Sequence, residues 1–149
     1  MFPKTQSDGI RIARLAPSEV LILGNLQGKG NLIDHLDSTW QLENADGCFK
    51  VPRSSTSFWL TLSGHHAPEL FAKICAVDMQ PDTLASGCVV QTNVARLNAI
   101  IICGGIGGVP VYDLLSDTAS AVYLWRALLD AMDEFDGRPV GLTALQNLD

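Results

Sequence analysis

The chain has 149 residues, enough for one ordinary domain or two small lobes sharing a core, and a separate cofactor domain is not expected within them. Apolar residues make up 47% and charged residues 17%, which excludes a disordered chain because this composition buries enough surface to offset the entropy of ordering. Ten Lys and Arg against 16 Asp and Glu leave a net charge of −6, so there is no basic surface for counterion release and nucleic acid is excluded as a partner.

Residues 1–9 are polar and unpatterned and are expected to fray or to order only against a partner. The opening Met1-Phe2-Pro3-Lys4 carries no signal-peptide apolar core. Apolar runs such as Ala99–Cys103 fall far below the roughly 20 residues that cross a bilayer. A soluble, cytoplasmic protein without a membrane partner is expected. Arg11–Arg14 and Glu19–Leu23 read as two strands around the Ala16-Pro17-Ser18 turn, followed by a short helix over Gly30–Leu36. Asp, Asn and Gly punctuate residues 37–52, with a short strand expected at Cys48–Val51.

The pattern sharpens from Phe58. Phe58–Leu62 is a strong β segment, and Pro68-Glu69 opens a helix that runs to about Cys75. Cys88–Val94 and Arg96–Cys103 read as strands, then Gly104–Gly108 as a loop and Val109–Leu115 as a further strand. Asp117 or Ser116 caps a last helix that reaches Phe135, with Gly137 at its C-terminal end. Val122, Trp125, Leu128, Leu129, Met132 and Phe135 recur at three- and four-residue steps and predict its buried face. The resulting order is an α+β fold, an antiparallel sheet with helices packed on one face. Residues 1–149 are expected to form one domain with two lobes, 10–57 and 58–149.

Each candidate for chemistry has a simpler structural reading. Gly24, Gly28 and Gly30 follow a strand and precede a short helix, as a phosphate-cradling turn does. Residues 37–47 leave no room for a complete βαβ crossover, and Gly30 follows Lys29 where a P-loop needs Ser or Thr, so a plain turn is expected. Gly104–Gly108 joins two strands and aims no helix dipole at a ligand. His65 and His66 precede Pro68 without a partner at dyad spacing. Asp78 and Asp82 suit backbone capping, and Asp130, Asp133, Glu134 and Asp136 suit a solvated helix face. Cys48, Cys75, Cys88 and Cys103 are too widely spaced for a zinc motif and read as buried free thiols. No catalytic, cofactor-binding or metal-ligating residue is assigned.

The run Leu60-Thr-Leu-Ser-Gly-His-His-Ala-Pro-Glu-Leu-Phe-Ala-Lys73, then Cys75-Ala-Val-Asp-Met-Gln-Pro81, then Gly87-Cys-Val-Val-Gln-Thr-Asn-Val-Ala-Arg-Leu97, resembles the gamma-subunit family of heterotetrameric sarcosine oxidase. The segment from Val111 to Leu129, with its Leu124-Trp125 pair, continues the resemblance, which covers about half of the chain. It implies a fold like the folate-binding domain of the glycine-cleavage T-protein and other aminomethyltransferases. It further implies a non-catalytic assembly subunit of a complex that oxidatively demethylates sarcosine or a related N-methyl amino acid. In that reading FAD, FMN, NAD and tetrahydrofolate sit on partner subunits, and the partners are alpha, beta and delta chains, or a second copy when the chain is isolated. The paired aspartates of the T-protein folate site are replaced here by Gln91, Thr92, Asn93 and Arg96. The alternatives are a folate-binding, aminomethyltransferase-like one-carbon enzyme and a small-molecule binding module.

Overall fold

A computed structural model describes residues 4–5, 9–25, 32–84 and 87–146. Strand β1 (Lys4–Thr5), β2 (Arg11–Ala16) and β3 (Glu19–Leu23) form a small antiparallel sheet in that order. Pro17 and Ser18 occupy the turn between Ala16 and Glu19, where the fixed φ of proline suits the first turn position. The terminus is less irregular than its polarity suggests, because Lys4 and Thr5 pair with Ile12 and Arg11.

Helix α1 (Leu32–Thr39) and a short 3-10 turn at Leu42–Asn44 follow, and neither buries a residue. The strand expected at Cys48–Val51 does not form; all four residues are exposed and none pairs with a sheet. Phe49 and Val51 have strand-forming side chains, but no neighbouring strand edge takes up their backbone groups.

The main sheet is antiparallel in the order β4-β7-β6-β5, built from β4 (Ser57–Ser63), β5 (Val89–Val94), β6 (Leu97–Ile106) and β7 (Val109–Asp117). Helix α2 (Ala67–Ile74) joins β4 to β5, and α3 (Ala121–Met132) follows β7. The chain closes with a short α4 (Leu142–Gln146). At the β6–β7 hairpin, Gly107 and Gly108 have φ of 57° and 82°, the two positive values a type I′ turn requires. The glycine segment joins two strands as expected, but the expected loop over Gly104–Gly108 shrinks to Gly107-Gly108, because Gly104, Gly105 and Ile106 pair with Val111, Pro110 and Val109 and extend β6.

Helices α2 and α3 pack on one face of the main sheet. Leu70 and Phe71 of α2 and Leu124, Leu128 and Ala131 of α3 meet Leu62, Ile101, Cys103, Tyr112 and Leu114 of the strands. The face of α3 that turns inward matches the one its spacing predicts only in part: Leu128 is buried and Met132 and Phe135 pack against the core, but Val122 and Trp125 do not turn inward. Trp125 is 42% exposed and Val122 more so, while Leu124 is fully buried. Two overlapping stripes satisfy the helical period, and the stripe of smaller side chains packs closer to the sheet.

A 3-10 turn at Thr118–Ser120 precedes α3, and Asp117 caps it by accepting the Ala119 N–H at 2.8 Å. The far end closes in a Schellman arrangement: Gly137 N–H bonds the Met132 carbonyl and Asp136 N–H bonds that of Asp133. Asp136, not Gly137, takes the left-handed conformation, and the glycine is required because a Cβ would lie 2.8 Å from that of Met132.

The opposite face of the main sheet is covered by the chain itself. Ala13, Leu21 and Leu23 of the β2–β3 hairpin pack on Ile102 and Leu115, with Trp59, Val89 and Ile100 at the margin. No partner is needed to cover that part of the sheet. Leu15 lies at a register shift in β2, and its carbonyl accepts Gln91 Nε2 at 2.7 Å.

Candidate functional site

Successive side chains of β7 alternate between the two faces of the sheet. Tyr112 and Leu114 therefore enter the helix-side core, and Asp113 is carried to the hairpin side with only 1% of its surface exposed. Register sets Thr61 of β4 directly opposite it, and Trp59, two residues earlier, projects to the same face. Asp113 Oδ1 accepts Trp59 Nε1 at 2.9 Å and Thr61 Oγ1 at 2.8 Å, while Oδ2 accepts Arg11 Nη1 from β2. The Arg11 guanidinium also lies 5.1 Å from the centre of the Trp59 ring. Burial lowers the Arg11 pKa from its ordinary value. The guanidinium nonetheless remains the countercharge, because its unperturbed pKa lies far above neutrality.

This carboxylate is engaged by three side-chain donors from two sheets. It lacks the free oxygen and adjoining space of a general base, and its effect is to clamp the hairpin onto β4 and β7. The sequence reading missed it. Its signal is a single charged residue within the otherwise apolar run Val109–Leu115.

Two residues along the same face lies an open groove of about 590 Å³. Arg53, Ser57, Gln91, Asn93, Asn98 and Asp117 surround a floor formed by Ile100 and Leu115. Pairing places Asn93 opposite Asn98 and Ser57 opposite Asp117, so the polar groups form a row across the sheet end. Many of them are already engaged. Asn93 donates to Asn98 at 2.9 Å, Arg53 pairs with Glu19 at 3.2 Å, and Asp117 holds the cap of the following turn. Amides and hydroxyls of this kind bind a polar molecule, but they do not transfer protons near neutral pH.

The other candidates are dispersed. Gly28, Lys29 and Gly30 lie outside the described residues; Gly24 follows β3, and a Cβ there would approach Ile33 Cδ1 at 3.3 Å. His66 precedes α2 and stacks on Phe135 with ring centres 5.2 Å apart. Asp78 caps its own turn, accepting Gln80 N–H and Thr83 Oγ1 at 3.0 Å each. Asp82, Asp130, Asp133, Glu134 and Asp136 are exposed.

Of the cysteines, Cys103 is buried, Cys75 and Cys88 are partly so, and Cys48 is exposed, contrary to the expectation of four buried thiols. Its segment contributes nothing to a core. Burial pushes the Cys103 thiol up, reinforced by its hydrogen bond with Cys88, which opposes the thiolate a nucleophile needs. Among the described residues no cluster of three or more His, Cys, Asp or Glu has metal-binding geometry.

Comparison with known proteins gives a consistent picture of the fold. No curated relative matches the chain by sequence. Among solved structures, the chain is similar to one from the heterotetrameric sarcosine oxidase of Corynebacterium sp. U-96, crystallised in complex with pyrrole 2-carboxylate. The two are 22% identical with a TM-score of 0.69, and the match covers 90% of this chain and 65% of the other. The chain thus spans just under two thirds of that neighbour, and at this identity the likeness speaks for the fold. The family model of the GCVT N-terminal domain matches residues 5–149, nearly the whole chain, and the protein belongs to that family.

Proposed function

We propose that this chain is a non-catalytic assembly subunit, of the gamma type, in a sarcosine oxidase-like complex that oxidatively demethylates sarcosine or a related N-methyl amino acid. The observation that carries this reading is the state of Asp113. The most deeply buried carboxylate among the described residues is consumed by Arg11, Trp59 and Thr61, so the scaffold uses its acid for cohesion. The neighbour's description as heterotetrameric supports placement in a multi-subunit assembly. In this reading the alpha, beta and delta subunits carry FAD, FMN, NAD and tetrahydrofolate, and this chain carries none.

Tetrahydrofolate is the cofactor that the competing one-carbon enzyme would need, and the residues here do not fit it. The 2-amino pyrimidinone edge of a pterin presents two donors suited to a bidentate carboxylate. Asp113 is closed off beneath the hairpin, and Asp117 at the groove spends one oxygen on the Ala119 N–H. No folate step is derived for this chain.

The test mixes the isolated chain with sarcosine, tetrahydrofolate, flavins and an electron acceptor, then repeats the assay with the large flavoprotein subunits present. No turnover alone, and comigration with those subunits in gel filtration, is the expected result. Turnover by the chain alone overturns the proposal.

A further inference from the structure

The stretch from Leu32 to Pro52 is folded yet has no core of its own. None of its residues is buried, in α1, in the 3-10 turn or in the return segment. Its order comes from internal bonds. Lys50 Nζ donates to the Asp37 carboxylate at 2.7 Å and to the Asp37 carbonyl at 3.0 Å, and it lies 5.3 Å from the Trp40 ring centre. Trp40 Nε1 donates to the Cys48 carbonyl at 3.1 Å. These contacts fold the return segment back on α1 while Ile33, Leu36, Leu42, Phe49 and Val51 stay exposed, Phe49 at 70% and Val51 at 75%. Five large apolar side chains left exposed on one self-ordered element are characteristic of an interaction surface.

We infer that residues 32–52 are a docking arm for another protein chain whose surface is apolar at its centre and basic at its rim. The inference rests on the subunit reading and names the surface through which assembly occurs. Charge selects the occupant. Asp34, Asp37, Glu43 and Asp46 stand against Lys50, which is already paired with Asp37. A second copy would bring acid against acid within a chain of net charge −6, and like charges juxtaposed at an interface oppose association. A rim of Lys and Arg would pair with the same acids and leave the five apolar side chains to fill its centre.

The experiment measures binding of the full chain to the isolated large flavoprotein subunits by calorimetry, for the native chain, for F49D/V51D, for D34K/D46K and for W125S on α3. Both arm variants are expected to bind at least about tenfold more weakly, with W125S unchanged and far-UV circular dichroism and melting temperature preserved. Raised salt should weaken native binding and affect D34K/D46K less. Native binding retained by F49D/V51D overturns the arm and leaves the subunit reading standing. No binding by the native chain overturns that reading and the arm with it. A native dimer that F49D/V51D dissociates makes the occupant a second copy and overturns the inference. A melting temperature lowered by several degrees shows that the arm belongs to the chain's own core, with the same consequence.

Discussion

Arg11 donates to the carboxylate of Asp113 across 102 residues of sequence, joining the small sheet to the main one at a point that water scarcely reaches. A buried ion pair gains little over apolar packing, but removal of one partner strands the other charge. Arg11→Met and Asp113→Leu are each expected to cost about 3–5 kcal/mol of unfolding free energy in urea titrations, with the double variant recovering part of the loss. A cost below about 1 kcal/mol for Arg11→Met would place the guanidinium in water and end the clamp interpretation.

Leu124 and Trp125 are neighbours in sequence and opposites in environment. Leu124→Ala is expected to cost about 2–5 kcal/mol because it leaves a cavity beneath α3. Trp125→Ala, despite removing the larger side chain, should change stability by less than about 1 kcal/mol, since substitutions at exposed positions rarely do more. Thermal unfolding of the two variants side by side checks the orientation of the helix, and equal losses would contradict it.

The same pair shows where sequence was legible and where it was not. The strands from Phe58 to Asp117 announce themselves through β-branched and aromatic runs, whereas their two-residue turns were legible only as a longer glycine loop at Gly104–Gly108 and not at all at Ala95-Arg96. The buried face of α3 is ambiguous because Val122-Trp125-Leu129 and Leu124-Leu128-Ala131 obey the same period and the predicted face takes Leu128 from the second; only the space above the sheet selects between them. Asp113 was visible as a charge in an apolar strand, but its partner lies at the other end of the chain, beyond any local pattern. The stretch 32–52 offered little pattern because no core face constrains its apolar spacing.

The β5–β6 turn holds Ala95 and Arg96 at φ of 48° and 71°, a left-handed conformation that L side chains resist. Ala95 is kept there by its N–H bond to the Ile74 carbonyl and by Tyr123 Oη, which donates to the Ala95 carbonyl at 3.1 Å. Ala95→Gly should therefore raise stability by about 1 kcal/mol, read as a higher urea midpoint at unchanged slope. A lower midpoint would mean that the unfolded-state entropy of glycine outweighs the relieved strain.

Tyr112 gives the chain an alkaline limit. Its hydroxyl donates to the Met79 carbonyl at 2.6 Å, its ring meets that of Phe71 edge-on, and burial, reinforced by the neighbouring Cys103, pushes its pKa up to about 12 from an ordinary 10. An acid whose folded pKa is raised keeps its proton in the native state while the unfolded chain loses it. The native state then binds more protons, so stability must fall as pH rises. The Tyr112 contribution is fully present below pH 10 and is lost progressively between pH 10 and about 12, and the raised Cys103 thiol acts in the same direction from about pH 9 upward. Urea titrations at steps of pH from 8 to 11.5 should show unfolding free energy declining from about pH 9 and more steeply above pH 10, and Tyr112→Phe should flatten the steeper part while lowering stability at neutral pH through its lost hydrogen bond. An equally steep decline in Tyr112→Phe would assign the alkaline loss to other groups and place the Tyr112 phenol in a solvated setting.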